Sequence, residues 1–142
     1  MRRLDDRATW WVSRAQLRAH AVLQELFTEA GARAYHYRLL AAVEAAGPIS
    51  QADLGRSTEI DRSDVSVALA TLEDGGFVER EPHPSDRRRN LVTLTAAGRA
   101  ELARLDEVVD RAQEMFLAPL AEEERTVFLD LVRRLGVGAA TA

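Results

Sequence analysis

The sequence predicts a mainly α-helical fold that carries one small β-hairpin. Three observations lead there. Apolar residues recur at steps of three and four through most of the 142-residue chain. Glycine or proline pairs cut that periodicity at Gly47-Pro48 and Gly75-Gly76. After the second pair, FVERE and NLVTLT alternate between apolar and polar residues, as half-buried strands do, on either side of PHPSDRRR.

The first helix is expected from Asp5 to about Phe27. Ala8, Trp11, Ala15, Ala19, Val22 and Leu26 form its stripe, with Val12, Leu23 and Phe27 widening it. Asp5 and Asp6 suit the positive end of its dipole, and Gly31 should break it. A second helix, about Ala34 to Ala45, stops at Gly47-Pro48. Ser50 precedes Asp53 by three, an N-cap acceptor followed by a carboxylate, so QADLGRS reads as a short third helix. Asp61 is the candidate cap of a fourth, with Val65, Leu69 and Leu72 facing inward and Gly75-Gly76 ending it. Two short helices joined by a turn at about Thr58 to Ile60 have the form of a helix-turn-helix.

The hairpin, with PHPSDRRR as a long basic loop, must lean on those helices, because two strands alone are marginal. Helix-turn-helix plus hairpin makes a winged helix-turn-helix domain. Beyond Thr95 and Gly98, a long helix places Leu102, Leu105, Val109, Ala112 and Phe116 at the spacing of a helix–helix seam. Pro119 interrupts it, and a last helix from about Glu122 to Leu135 shows Val127, Phe128, Leu131 and Leu135 on one side. The organisation expected is one domain over 1–142. A DNA-binding lobe occupies about 34–98, and dimerisation helices occupy about 5–28 and 99–135. A second copy covering the terminal helices is the simplest partner, through Leu102, Leu105, Val109, Phe116, Phe128 and Leu131.

Composition narrows the function classes. The chain has no cysteine, which excludes disulfides, thiolate metal sites and cysteine nucleophiles. His20, His36 and His83 have no ligand spacing, and no cofactor or metal is expected. No phosphate loop, nucleophile elbow or dinucleotide fingerprint occurs, so an enzyme is not expected. The absence of a leader-like or spanning apolar run points to a cytoplasmic chain with no membrane partner. All 19 basic residues are arginine, against 23 carboxylates, for a net charge of -4. Residues 100–142 hold five arginines and nine carboxylates, whereas 1–99 hold fourteen of each, so the hairpin can be locally positive.

On the fourth helix the outward set is Arg62, Ser63, Ser66, Val67 and Ala70. Arg62 can pair in bidentate fashion with guanine, Ser63 and Ser66 can serve a base or a phosphate, and Val67 can touch a thymine methyl. Asp64 either stabilises the helix N-terminus or accepts from a cytosine amine. In the wing, Arg88 is the candidate for minor-groove insertion, Arg87 and Arg89 for phosphate or structural contacts, and Asp86 for orienting an arginine.

The pattern D-x-R-x-x-x-V-x-L-T-x-x-G at Asp86, Arg88, Val92, Leu94, Thr95 and Gly98, with DRSDVSVALATLEDGGFVER ahead of it, resembles the MarR family of bacterial transcriptional regulators. The resemblance spans nearly the whole chain. It implies a homodimeric winged helix-turn-helix repressor that binds a pseudo-palindromic double-stranded DNA operator. It also implies release when a small molecule, often aromatic or phenolic, occupies a cleft bordered by the first two helices. Trp11, Arg14, His20, Tyr37 and Arg38 are the candidates here for that effector cleft; aromatics at helical spacing also serve as plain core. The chain departs from the family pattern at Asp64, Val67 and Thr71 on the fourth helix and at Glu59, where the turn often has glycine. The alternative reading is a winged-helix protein-interaction module without specific DNA binding.

Overall fold

A computed structural model describes residues 3–136. After a short 3-10 turn at Leu4–Asp6, the helices are α1 (Ala8–Glu29), α2 (Ala34–Ala46), α3 (Gln51–Thr58), α4 (Arg62–Asp74), α5 (Ala96–Leu117) and α6 (Glu122–Leu135). The strands are β1 (Ile49–Ser50), β2 (Val78–His83) and β3 (Asp86–Leu94). The predominance of helix with one small sheet is the fold class that the sequence predicts. Two compact units divide the chain: residues 3–22 with 111–136, and Leu23–Asp110. The second is wider than the lobe expected at 34–98, because it also takes the end of α1 and most of α5.

In the Leu23–Asp110 unit, α2 packs on α3, α4 and β3. Leu39, Leu40 and Val43 of α2, Leu54 of α3, and Val65, Leu69 and Leu72 of α4 are buried, so the helical periodicity identified the inward face of α4 correctly. Burial of such aliphatic side chains contributes about 1.5–3 kcal/mol each. Ser50 caps α3: its hydroxyl accepts from the Asp53 N–H at 3.1 Å and donates to the Asp53 carboxylate at 2.8 Å. Asp61 occupies the N-cap position of α4 in extended backbone but makes no side-chain cap bond.

The sheet is antiparallel in the order β1-β3-β2. β1 was not legible in the sequence; it pairs Ile49 with Val92 and Ser50 with Leu91. β2 pairs Val78 with Leu94 and Arg80 with Val92, and the register shifts between Pro82 and His83. An edge strand tolerates Pro82, which has no N–H to give. The expected long basic loop is instead a tight turn at Pro84-Ser85, and Arg87, Arg88 and Arg89 lie on β3. The tight turn has a local cause. The Ser85 N–H donates to His83 Nδ1 at 3.1 Å, and Asp86 accepts from the Arg88 N–H at 3.0 Å, so short-range turn bonds close the hairpin immediately.

Val92 is fully buried, while Leu91 is half-buried. Arg80, which no sequence pattern singled out, donates Nε and Nη2 to the two Glu73 oxygens at 3.1 Å each. This fork pins β2 to α4. It holds the Glu73 carboxyl below the ordinary carboxylate range.

In the other unit, Arg18 donates to the Phe116 and Met115 carbonyls at the end of α5, at 2.5 and 2.7 Å, and its guanidinium lies 5.4 Å from the Phe116 ring centre. Arg125 of α6 grips both Glu114 oxygens at 3.0 and 2.9 Å. Phe116 and Phe128 meet at 6.3 Å between ring centres. Yet α6 buries none of its residues, and Val127, Leu131 and Leu135 are exposed. Among the described residues no helix is long and apolar enough to cross a membrane.

Candidate nucleic-acid interface

The interface candidate lies wholly in the Leu23–Asp110 unit, where α3, the start of α4 and β3 enclose an open cleft of about 660 Å³. Four arginines line it: Arg56 from α3, Arg62 from α4, and Arg88 and Arg89 from β3. Each has a local reason for its place. Arg62 is the first residue of α4, directly after the N-cap, so its side chain leaves the helix at the end where α4 enters the cleft. Ser63, Ser66 and Val67 are exposed on the same helix, Val67 at 67%, while Val65, one residue from Ser66, is buried. The residues expected to face outward on α4 are thus exposed, and those expected to face inward are buried.

On β3 the three arginines differ. The Arg88 side chain is 95% exposed, and its Nε stands 3.6 Å from the Asp86 carboxylate. With the backbone bond to the same oxygen, Asp86 orients Arg88 without covering it. Arg87 is exposed. Arg89 reaches back to α3, 3.4 Å from the Ser50 hydroxyl and 3.9 Å from the Asp53 carboxylate, and is about half covered. One side of Arg89 thus makes structural contacts while the other stays open to solvent.

Arg56 was missed in the sequence. It pairs with Asp53 one turn earlier, on a short helix whose only local sequence signal is its Ser50 cap. Asp53 is held below the ordinary carboxylate range first by the Ser50 hydroxyl and then by Arg56.

The effector candidates fall in both units. Trp11 donates Nε1 to the Asp5 carbonyl at 2.9 Å and stays 54% exposed; Arg14 lies 5.6 Å from the Trp10 ring centre; His20 is exposed. In the other unit, the Tyr37 hydroxyl donates to Asp106 at 2.8 Å, and its ring meets Phe27 at 5.9 Å. Burial, then this bond and the charges of Asp106 and Asp110, push the Tyr37 phenol up to about 12. Arg38 donates Nη2 to the Thr58 carbonyl at the end of α3, so its guanidinium serves the helix-turn-helix.

The dimerisation candidates divide as well. Leu102 and Leu105 are buried within the chain, with Val108 beside them, while Val109 is half-buried. The seam spacing identified a packed face, and Leu102, Leu105 and Ala112 of it are buried within the single chain. Phe116 and Phe128 are half-buried and Leu131 is exposed.

Comparisons with known proteins agree with this architecture. The model of the MarR family matches residues 32–89. The transcriptional regulator HosA of Escherichia coli O111:H- is 33% identical over 122 residues, 80% of this chain and 90% of that protein. The crystal structure of a probable transcriptional regulator from Pseudomonas aeruginosa is similar at a TM-score of 0.81 and 31% identity, covering 94% of this chain and all of that one. The PcaV transcriptional regulator from Streptomyces coelicolor, solved in complex with its natural ligand, is similar at a TM-score of 0.79 and 29% identity, covering 98% of each chain.

Proposed function

Because the chain belongs to the MarR family, whose members are transcriptional regulators rather than enzymes, we propose that it binds a pseudo-palindromic operator as a homodimer and represses transcription until a small ligand binds. The observation that carries the DNA reading is the arginine-lined cleft with Arg88 standing almost fully in solvent at its edge. A guanidinium so exposed, yet oriented by Asp86, suits the negative potential of a narrow minor groove. Arg62, Ser63, Ser66 and Val67 supply the base and phosphate contacts of a recognition helix in the major groove. Arg87, Arg56 and the uncovered part of Arg89 face phosphates.

The dimer reading is supported by uncovered apolar surface. Trp11, Val12, Leu17, Val127, Leu131, Val132 and Leu135 are each more than two-fifths exposed in the single chain. A second copy would cover these apolar side chains. Phe116, Phe128 and Leu131 then belong to the interface. The ligand reading is supported by the similar PcaV regulator, solved in complex with its natural ligand, and an aromatic or phenolic molecule is the effector class proposed.

The test begins with duplexes selected by the protein from a random library. Arg88→Ala should weaken binding to the selected duplex at least about tenfold and lower the slope of log affinity against log salt by about 1 per subunit, with the dimer intact by sedimentation. Unchanged affinity and slope would remove the wing from the mechanism. Failure to select any sequence at low salt would favour the protein-interaction alternative.

A further inference from the structure

Glu59 is the one non-glycine residue with positive φ among the described residues, at φ 57° and ψ 26°. It stands in the turn between α3 and α4, three positions before Arg62. In that region an L-residue brings Cβ against its own carbonyl, so the conformation persists only where its surroundings impose it.

Three features flank it here. Ile60 is buried, which anchors the chain immediately after the turn. The Thr58 hydroxyl donates to the Leu54 carbonyl at 2.7 Å, which closes the last turn of α3. The third contact comes from another helix: Arg38 of α2 donates Nη2 to the Thr58 carbonyl. A carbonyl at a helix C-terminus has no amide partner within its own helix, and it lies at the negative end of the dipole, so a cation suits it on both counts. The Arg38 guanidinium also lies 6.0 Å from the centre of the Tyr35 ring, one turn back on α2, which restricts its swing.

We propose that Arg38 is a positioning residue for base readout. By tying the Thr58 carbonyl to α2, it fixes the left-handed turn at Glu59 and with it the angle at which Arg62 emerges from α4. The inference rests on the DNA-binding reading above. Arg38 does not itself touch a base, and its effect passes through the turn.

The test uses the full chain with Arg38→Met, which keeps an aliphatic stem and loses the donor. Arg33→Met is the control, since it removes the same charge at the start of the same helix. Amide hydrogen exchange and titration of the selected and a scrambled duplex are the two readouts. Arg38→Met should speed exchange in residues 59–62 about tenfold while residues 65–72 keep their protection. It should also reduce discrimination between the two duplexes about tenfold, with Arg33→Met unchanged in both respects.

The inference is overturned if Arg38→Met leaves exchange at 59–62 and discrimination as they were. It is equally overturned if Arg33→Met matches its effect, or if exchange rises throughout α3 and α4 rather than at the turn. If the wild-type protein itself selects no duplex, the DNA-binding reading fails instead, and the two failures are told apart by that first step.

Discussion

Gly98 in the first turn of α5 lies directly beneath the Phe77 carbonyl: a Cβ added to it would stand 1.9 Å from that oxygen and 3.3 Å from Leu94 Cδ2. No side-chain adjustment can relieve a clash with backbone at that distance. The glycine that closes the wing motif is therefore required by the close approach of α5 to the segment leading into β2. Gly98→Ala should destabilise the protein by about 3 kcal/mol or more. Chemical denaturation monitored by circular dichroism measures this, and a loss within 1 kcal/mol of zero would contradict the packing described.

Gly55 is the opposite case. It sits inside α3 with ordinary helical backbone, and an added Cβ would meet only Ile60 O and Val65 Cγ2, both at 3.8 Å. Alanine loses less backbone entropy on folding than glycine. Gly55→Ala is accordingly expected to stabilise by about 0.5–1 kcal/mol, read as a rise in the denaturation midpoint without loss of DNA affinity.

Arg62→Ala addresses the reading head. Its effect on the selected duplex should exceed its effect on a scrambled one by about 1–3 kcal/mol, because a bidentate guanine contact carries sequence information and a phosphate contact does not. Equal losses on both duplexes would assign Arg62 to the backbone.

His36 gives a pH dependence of stated sign. Burial first, then the charge of Arg33, holds its pKa below the ordinary 6.5, with Glu101 opposing. The folded state therefore binds this proton less readily than the unfolded chain. The contribution to stability is fully present above about 6.5 and is lost as pH falls through the lower folded value. Denaturation midpoints at about pH 7.5 and about pH 5.5 should differ in that direction, and His36→Gln should reduce the difference. A difference unaltered by the substitution would place the titration elsewhere.

What the sequence disclosed follows from how locally each feature is encoded. Val65, Leu69 and Leu72 were legible because a helix face repeats within a few residues, and Ser50 because a cap is a three-residue device. The arginines of β3 were read as loop because Pro82, Pro84, Ser85 and Asp86 are turn formers, and the strand begins within them. β1 is two residues long and exists only through its pairing with β3, so no pattern could announce it. Val108 and Val109 are neighbours, and choosing between them requires knowing what covers the helix. The bond from Arg38 to the Thr58 carbonyl is not legible either, since a long side chain's lean depends on a partner twenty residues away.

Thr95 has a role that reaches beyond its own turn. Its hydroxyl donates to the Gly76 carbonyl at 2.6 Å and accepts from the Gly98 N–H at 2.9 Å, while its own N–H donates to the Phe77 carbonyl at 3.1 Å. One threonine thus knots the exit of α4, the end of β3 and the entry of α5. Insertions or deletions near this knot would shift all three together, whereas among the described residues the side chain of Ser85 at the tip bonds only to His83 of its own hairpin. Length polymorphism among related wings should accordingly gather at the tip and spare the root, leaving the reach of the arginines free to vary while their base stays fixed.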